Sequence, residues 1–232
     1  MTMDYRKADH YPTRYHGAVG ITPRVFVFHS THGGSYSYLN GLFQGDYKRD
    51  DGVAVTVHFG CYKDGALVEY APWKRGEAYQ CWHAGPSEWK GETGVSAFSI
   101  GVEIQHAPNE PFTDGQIEAL IYLVRMVKAE YPGMQWTTHK EISGRLQGKW
   151  DPYPPWDTQV WPVLRAIIEG EDDMTKEQAD QLDRIFTSTE ATSYRESILI
   201  ALMRENMGEA ERLYQEAKGK GIAIRGYEIP PR

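Results

Sequence analysis

The sequence predicts an α/β fold: a mixed central β-sheet flanked by helices, followed by a small C-terminal all-α region. Three observations carry this reading. Short runs of β-branched and aromatic residues alternate with helical stretches over the first 170 residues. One run, "RVFVFHS" (24–30), is apolar at nearly every position, as a strand covered on both faces would be. All seven tryptophans lie at or before Trp161, and beyond it the chain turns acidic and then strongly helical.

The elements follow in order. Residues 24–30 form the first buried strand, and the glycine-rich "HSTHGGSYSY" after it reads as a loop. "GVAVTVHFGCYKDGALVEYA" reads as two strands around "KDG", with Asp64-Gly65 as a hairpin turn. "FSIGVEIQH" (98–106) is another strand. "TDGQIEALIYLVRMVKAEYPG" is an amphipathic helix capped by Thr113 and ended by Pro132-Gly133. "WTTHKEI" reads as a further short strand running into a loop through "SGRLQG", and "DTQVWPVLRAIIEG" as a closing helix. After the acidic connector "EGEDDM", Thr175 and Gln178 have capping-box spacing, as do Ser193 and Glu196, and Gly219 or Gly221 is a natural stop. The expected division is 1–170 for the α/β domain and 171–232 for the helical region. About 60 residues of helical hairpin bury little apolar surface alone. That region is therefore expected to dock on the first domain, to self-associate or to bind a partner. Met174 opens it and is a candidate internal start.

The 232 residues carry a net charge of −7 and a pI of about 5.6, which gives no general attraction to nucleic acid or anionic membranes. No apolar run approaches the roughly 18 residues of a membrane span. The opening "MTMDYRKADHYPTRYHG" has no apolar core of a signal peptide, so synthesis in the cytoplasm is expected. Cys61 and Cys81, the only cysteines, lack zinc-motif spacing and are expected to be free thiols.

The chemistry centres on three residues. His29 closes the first buried strand and His139 a later one. If those strands are neighbours, both imidazoles emerge on the rim where α/β sheets usually carry their sites. Asp151, twelve residues after His139, can fold back from its loop. Two histidines and a carboxylate form a catalytic zinc set with one position left for water. Eight histidines offer many such pairs, so on spacing alone ordinary hydrogen-bonded or surface histidines are the commoner reading.

The fragments "FVFHST", "VTVHFGCYKDGALVEYAP", "CWHAG", "FSIGVEIQ" and "THKEI…GKWDP…WD" occur in one order with matching spacing from about Val25 to Asp157. This stretch resembles the type 2 N-acetylmuramoyl-L-alanine amidases, the zinc family shared by phage endolysins, muropeptide-recycling amidases and peptidoglycan recognition proteins. The resemblance implies roles by residue. His29, His139 and Asp151 match the zinc ligands, Glu103 the general base, and Lys149 the lysine that stabilises the oxyanion. Trp82 and His83 match positions near the substrate groove. A zinc-activated water would then attack the lactyl carbonyl of N-acetylmuramic acid, with Glu103 passing the proton to the leaving L-alanine nitrogen. Three departures stand out. Val57 occupies a position where some phage members carry a catalytic tyrosine. The His139-to-Lys149 segment is about two residues longer than in recycling members. Tyr153 stands where the family usually has glycine. His58 reads as structural, His32 as a surface or substrate-side residue, and His106 is unassigned.

The expected function is a phage endolysin, held in the host cytoplasm until released to the cell wall, where peptidoglycan is its partner. The alternatives are a cytosolic recycling amidase acting on soluble anhydro-muropeptides, and a non-catalytic peptidoglycan-binding module. The helical extension favours the endolysin. The complete ligand set disfavours the binding module.

Overall fold

A computed structural model of the chain describes residues 4–49, 52–169 and 212, and the expected C-terminal helices and Met174 lie outside them. A six-stranded mixed sheet forms the centre, in the order β1 (Tyr5–Lys7), β4 (Leu67–Glu69), β3 (Phe59–Cys61), β7 (Ser99–Ile104), β2 (Val25–Ser30), β8 (Gln135–Thr138). Only the β3–β4 hairpin is antiparallel within it; the other four pairings are parallel. A separate two-stranded hairpin is formed by β5 (Glu88–Trp89) and β6 (Glu92–Thr93).

Strand alternation sorts the core. On β2, Phe26 and Phe28 join Phe59, Ile100, Val102 and Ile104 against α2 (Asp114–Glu130) and α4 (Trp161–Glu169). Val25 and Val27 belong to the cluster on the other face, with Ala84, Val95 and Ile142. A third cluster gathers Leu39, Leu42 and Phe43 of α1 (Tyr36–Gln44) with Val57, Val68 and Tyr70. By the same alternation His29 follows Val25 and Val27, so it stands on the face opposite the large apolar cluster. Cys61 and Cys81 are buried free thiols, as expected.

Several elements differ from expectation. The "HSTHGGSYSY" stretch enters α1, whose first turn is capped by the Ser35 hydroxyl accepting the Tyr38 N–H. The "WTTHKEI" strand ends at Thr138: His139 opens a nine-residue helix, α3 (His139–Gln147), which takes up most of the supposed "SGRLQG" loop. The hairpin strands are only three residues each. The closing helix begins with a π-helical turn over Trp156–Val160 before α4. The Thr113 cap is present, with the full reciprocal capping box to Gln116. Among the described residues, no helix is long and apolar enough to cross a membrane.

Candidate metal centre

Three neighbouring parallel strands align the site. Glu103 of β7 is the register partner of His29 on β2. On the other side of β2 the last pair with β8 is Phe28 and Thr138, so His29 and His139 follow side by side, ring centroids 4.3 Å apart. His139 is fixed by the start of α3, where the Thr138 hydroxyl accepts the Glu141 N–H and the Glu141 side chain accepts the Thr138 N–H. The helix ends at Gly148, which adopts φ 66°, a left-handed conformation that glycine takes without Cβ strain. That turn delivers Lys149 and Asp151 back to the helix start, where the Lys140 N–H donates to the Asp151 carbonyl at 2.9 Å.

Asp151 is buried, and its Oδ2 accepts the Ser30 N–H at 3.1 Å. The same oxygen lies 3.2 Å from His139 Nδ1 and 4.0 Å from His29 Nδ1. One donor atom each from His29, His139 and Asp151 falls within 4.8 Å of the others. His29 Nδ1 is fully buried with no hydrogen-bond partner, an arrangement that costs free energy unless something accepts its lone pair. Burial above all, then neighbouring His139, His83 and Lys149, holds the His29 ring well below the usual histidine range, so it is neutral, as ligation requires. Two imidazole nitrogens and one carboxylate oxygen, enclosed and converging, fit a zinc-type cation.

Glu103 is partly open to the cavity beside this cluster. Burial pushes its carboxyl well above the ordinary range, nearby Asp151 pushes it further, and Lys149 opposes them. A cavity of about 310 Å³ is lined by Glu103, Lys149, Asp151 and Tyr153 on one side and by Leu39 and Leu42 of α1 on the other. A second of about 370 Å³ shares His139 and Lys149 and extends past Gln80, Trp82 and Gln147.

The structure thus brings His29, His139, Asp151, Glu103 and Lys149 to one place. Trp82 is 41% exposed on the rim of the second cavity. His83 is 5% exposed and lies behind His29, its Nδ1 2.8 Å from His29 Nε2 and its Nε2 3.1 Å from Ser99 Oγ. His58 is buried among backbone groups, accepting the Gly101 N–H and donating to the Tyr79 carbonyl. His32 is exposed, with φ 61°, and its Nδ1 lies 3.0 Å from the Tyr153 hydroxyl. His106 stacks on Phe112 with centroids 3.7 Å apart and bonds the Glu110 carbonyl. The sequence reading missed the α1 side of the first cavity. The available signal was Ser35 as a cap, with Leu39, Leu42 and Phe43 at helical spacing.

Comparison with known proteins agrees with this geometry. A family model described as N-acetylmuramoyl-L-alanine amidase matches residues 20–154, more than half of the chain. The chain is 33% identical over 118 residues to the 1,6-anhydro-N-acetylmuramyl-L-alanine amidase AmpD of Salmonella typhimurium strain LT2, covering 50% of this chain and 58% of that protein. The Escherichia coli K12 protein of the same name is 30% identical over 121 residues, covering 51% and 61%. The chain therefore spans less than two thirds of the length of these relatives. Among solved structures, Citrobacter freundii AmpD superposes with a TM-score of 0.52 at 25% identity, over 74% of this chain and 95% of that one. The amidase LysC from Clostridium intestinale URNW shares the fold at 18% identity, with a TM-score of 0.51 over 72% and 99%. The chain belongs to the N-acetylmuramoyl-L-alanine amidase family.

Proposed function

We propose that this protein hydrolyses the amide bond between N-acetylmuramic acid and L-alanine, and that soluble anhydro-muropeptides are its preferred substrates. The observation that carries the reaction is the convergence of His29, His139 and Asp151 beside Glu103 and Lys149. Zinc held by the first three would lower the pKa of a water molecule and polarise the scissile carbonyl. Glu103 takes the proton from the attacking water and gives it to the departing alanine nitrogen. Its raised pKa suits a group that must hold that proton between the two steps. Lys149 places a positive charge where the carbonyl oxygen becomes anionic. Trp82, exposed on the rim, offers a ring face to the sugar or peptide.

The choice of substrate rests on the relatives, whose names describe action on 1,6-anhydro-N-acetylmuramyl-L-alanine. They support a recycling amidase better than the endolysin expected from the sequence. The endolysin reading retains one argument, the extension beyond residue 170 that the sequence leads one to expect to be helical, which the recycling type does not require. A single comparison decides between the two. Soluble anhydro-muropeptides and intact sacculi are offered to the enzyme with and without a zinc chelator, scoring new L-alanine amino termini and new reducing ends. The expected result is zinc-dependent release of amino termini, faster on soluble fragments, with no new reducing sugars. Activity that survives full zinc removal would refute the metal reading, and faster turnover of sacculi would restore the endolysin.

A further inference from the structure

We infer that His83 is a positioning residue for the metal centre: through a His29–His83–Ser99 hydrogen-bond chain it fixes the ring orientation and tautomer in which His29 presents Nδ1 to the cation. This rests on the reading of His29, His139 and Asp151 as metal ligands. The argument is one of proton placement. For Nδ1 of His29 to offer a lone pair, its proton must sit on Nε2, and that nitrogen is 2.8 Å from His83 Nδ1. His83 must then accept at Nδ1 and carry its own proton on Nε2, which is 3.1 Å from the Ser99 hydroxyl. The reverse direction, Ser99 O–H to His83 Nε2 and His83 Nδ1–H to His29 Nε2, would put a proton on the buried, unpartnered His29 Nδ1, so a free lone pair there selects one arrangement. Outer partners of this kind raise the basicity of a ligating imidazole and hold its plane.

The surroundings are built to seat His83 there. At Gly101, midway along β7, a Cβ would lie 2.6 Å from His83 Nδ1 and 2.8 Å from its Cε1 and Cγ, so any side chain would evict the ring. The two histidine rings meet edge to face, with centroids 4.9 Å apart. His83 lines both cavities, but with 5% exposure its two ring nitrogens are engaged by His29 and Ser99 inside the protein.

The test measures zinc affinity of the full chain by competition with a chromogenic chelator, alongside thermal unfolding of the zinc-free protein. His83→Phe removes the acceptor and is expected to weaken zinc by roughly 10–100-fold. His83→Asn places an amide oxygen near the Nδ1 position and is expected to recover most of that loss. Ser99→Ala leaves the His83 Nε2–H without its acceptor, so it weakens zinc in the same direction by less. His29→Ala is the control: if it binds zinc as the native protein does, the ligand assignment itself falls. Given that control, native affinity in His83→Phe overturns the inference, and so does an Asn variant as weak as the Phe variant. Should the Phe variant fail to fold, native affinity in Ser99→Ala does so instead.

Discussion

Glu103 shares its face of β7 with Ser99 and Gly101, a hydroxyl and a bare backbone, while the opposite face carries Ile100, Val102 and Ile104. A carboxyl is costly among such neighbours, and burial accordingly pushes its pKa upward. It is not one of the three groups whose donor atoms converge, so on the proposed reading metal binding and proton transfer are separable at this residue. Glu103→Gln keeps the volume and removes the base. The variant is expected to retain native zinc content while kcat on a soluble anhydro-muropeptide falls by roughly 10²–10⁴-fold. Metal analysis and steady-state rates on one preparation check both halves, and a rate within threefold of native would place the base elsewhere. Tyr153 is a second residue with local character. It is 7% exposed on the cavity wall. Its hydroxyl is pushed up to about 12, first by burial and then by Asp151 and Glu103, so it remains a neutral hydrogen-bonding group across the working pH range.

At the scale of elements the site depends on how α3 begins and ends. Its capping box orients His139, and the left-handed Gly148 turns the chain so that Lys149 and Asp151 return to the same rim. A side chain at Gly148 meets no atom within 4 Å, so Gly148→Ala tests backbone conformation alone. The expected cost is about 1 kcal/mol of stability. A drop in kcat larger than any drop in zinc affinity should accompany it, because Lys149 is the next residue. Denaturant unfolding with parallel kinetics checks this, and an unchanged kcat would mean that Lys149 is placed by contacts other than this turn. How much of this was legible follows from the same elements. Glu103, His29 and His139 could each be placed at or near a strand end by apolar patterning. Their alignment needed the order β7–β2–β8, and parallel pairing of Val25 with Ser99 and with Gln135, far along the chain, leaves no local signature. The start of α3 was hidden by the β-rich "WTT" before it, although Thr138 and Glu141 have the spacing recognised at Thr175 and Gln178. In α1, Gly33, Gly34 and two tyrosines obscured a short helix. Endolysin was preferred to recycling amidase on the expected helical extension alone, which lies outside the described residues, whereas the relatives carry recycling-amidase names.

Taken whole, the sheet divides the labour between its faces: one packs a continuous apolar cluster against α2 and α4, and the other gathers the buried His29, His58 and His83. Acid should therefore destabilise the molecule from one side. Burial displaces His58 from 6.5 to about 4, despite the opposing bond to the Tyr79 carbonyl. Above pH 6.5 the ring is neutral in both folded and unfolded chains, and its contribution is fully present. Between about 4 and 6.5 only the unfolded chain takes up the proton, so stability falls as pH falls, by about 3 kcal/mol across that window for His58. The downward shifts of His29 and His83 act in the same direction in zinc-free protein. Denaturant unfolding of the zinc-free chain at pH 7 and pH 4.5 should show this loss, and His58→Gln should show a smaller one. An equal loss in the variant would assign the acid sensitivity to other groups. The same view of the molecule bears on where the domain ends. All three described core clusters and the five site residues lie between residues 5 and 168, inside the compact unit Met1–Asp172. Tolerance of truncation follows from burial and hydrogen bonding of the backbone affected, not from position in the chain. A chain ending at Asp172 is accordingly expected to unfold cooperatively within a few degrees of the full-length Tm, to bind zinc with native affinity and to turn over soluble anhydro-muropeptide at the native rate. If it aggregates or melts many degrees lower, residues beyond 172 help to hold the amidase fold. If it keeps its rate on soluble fragments but loses activity on sacculi, those residues direct the enzyme to the polymer.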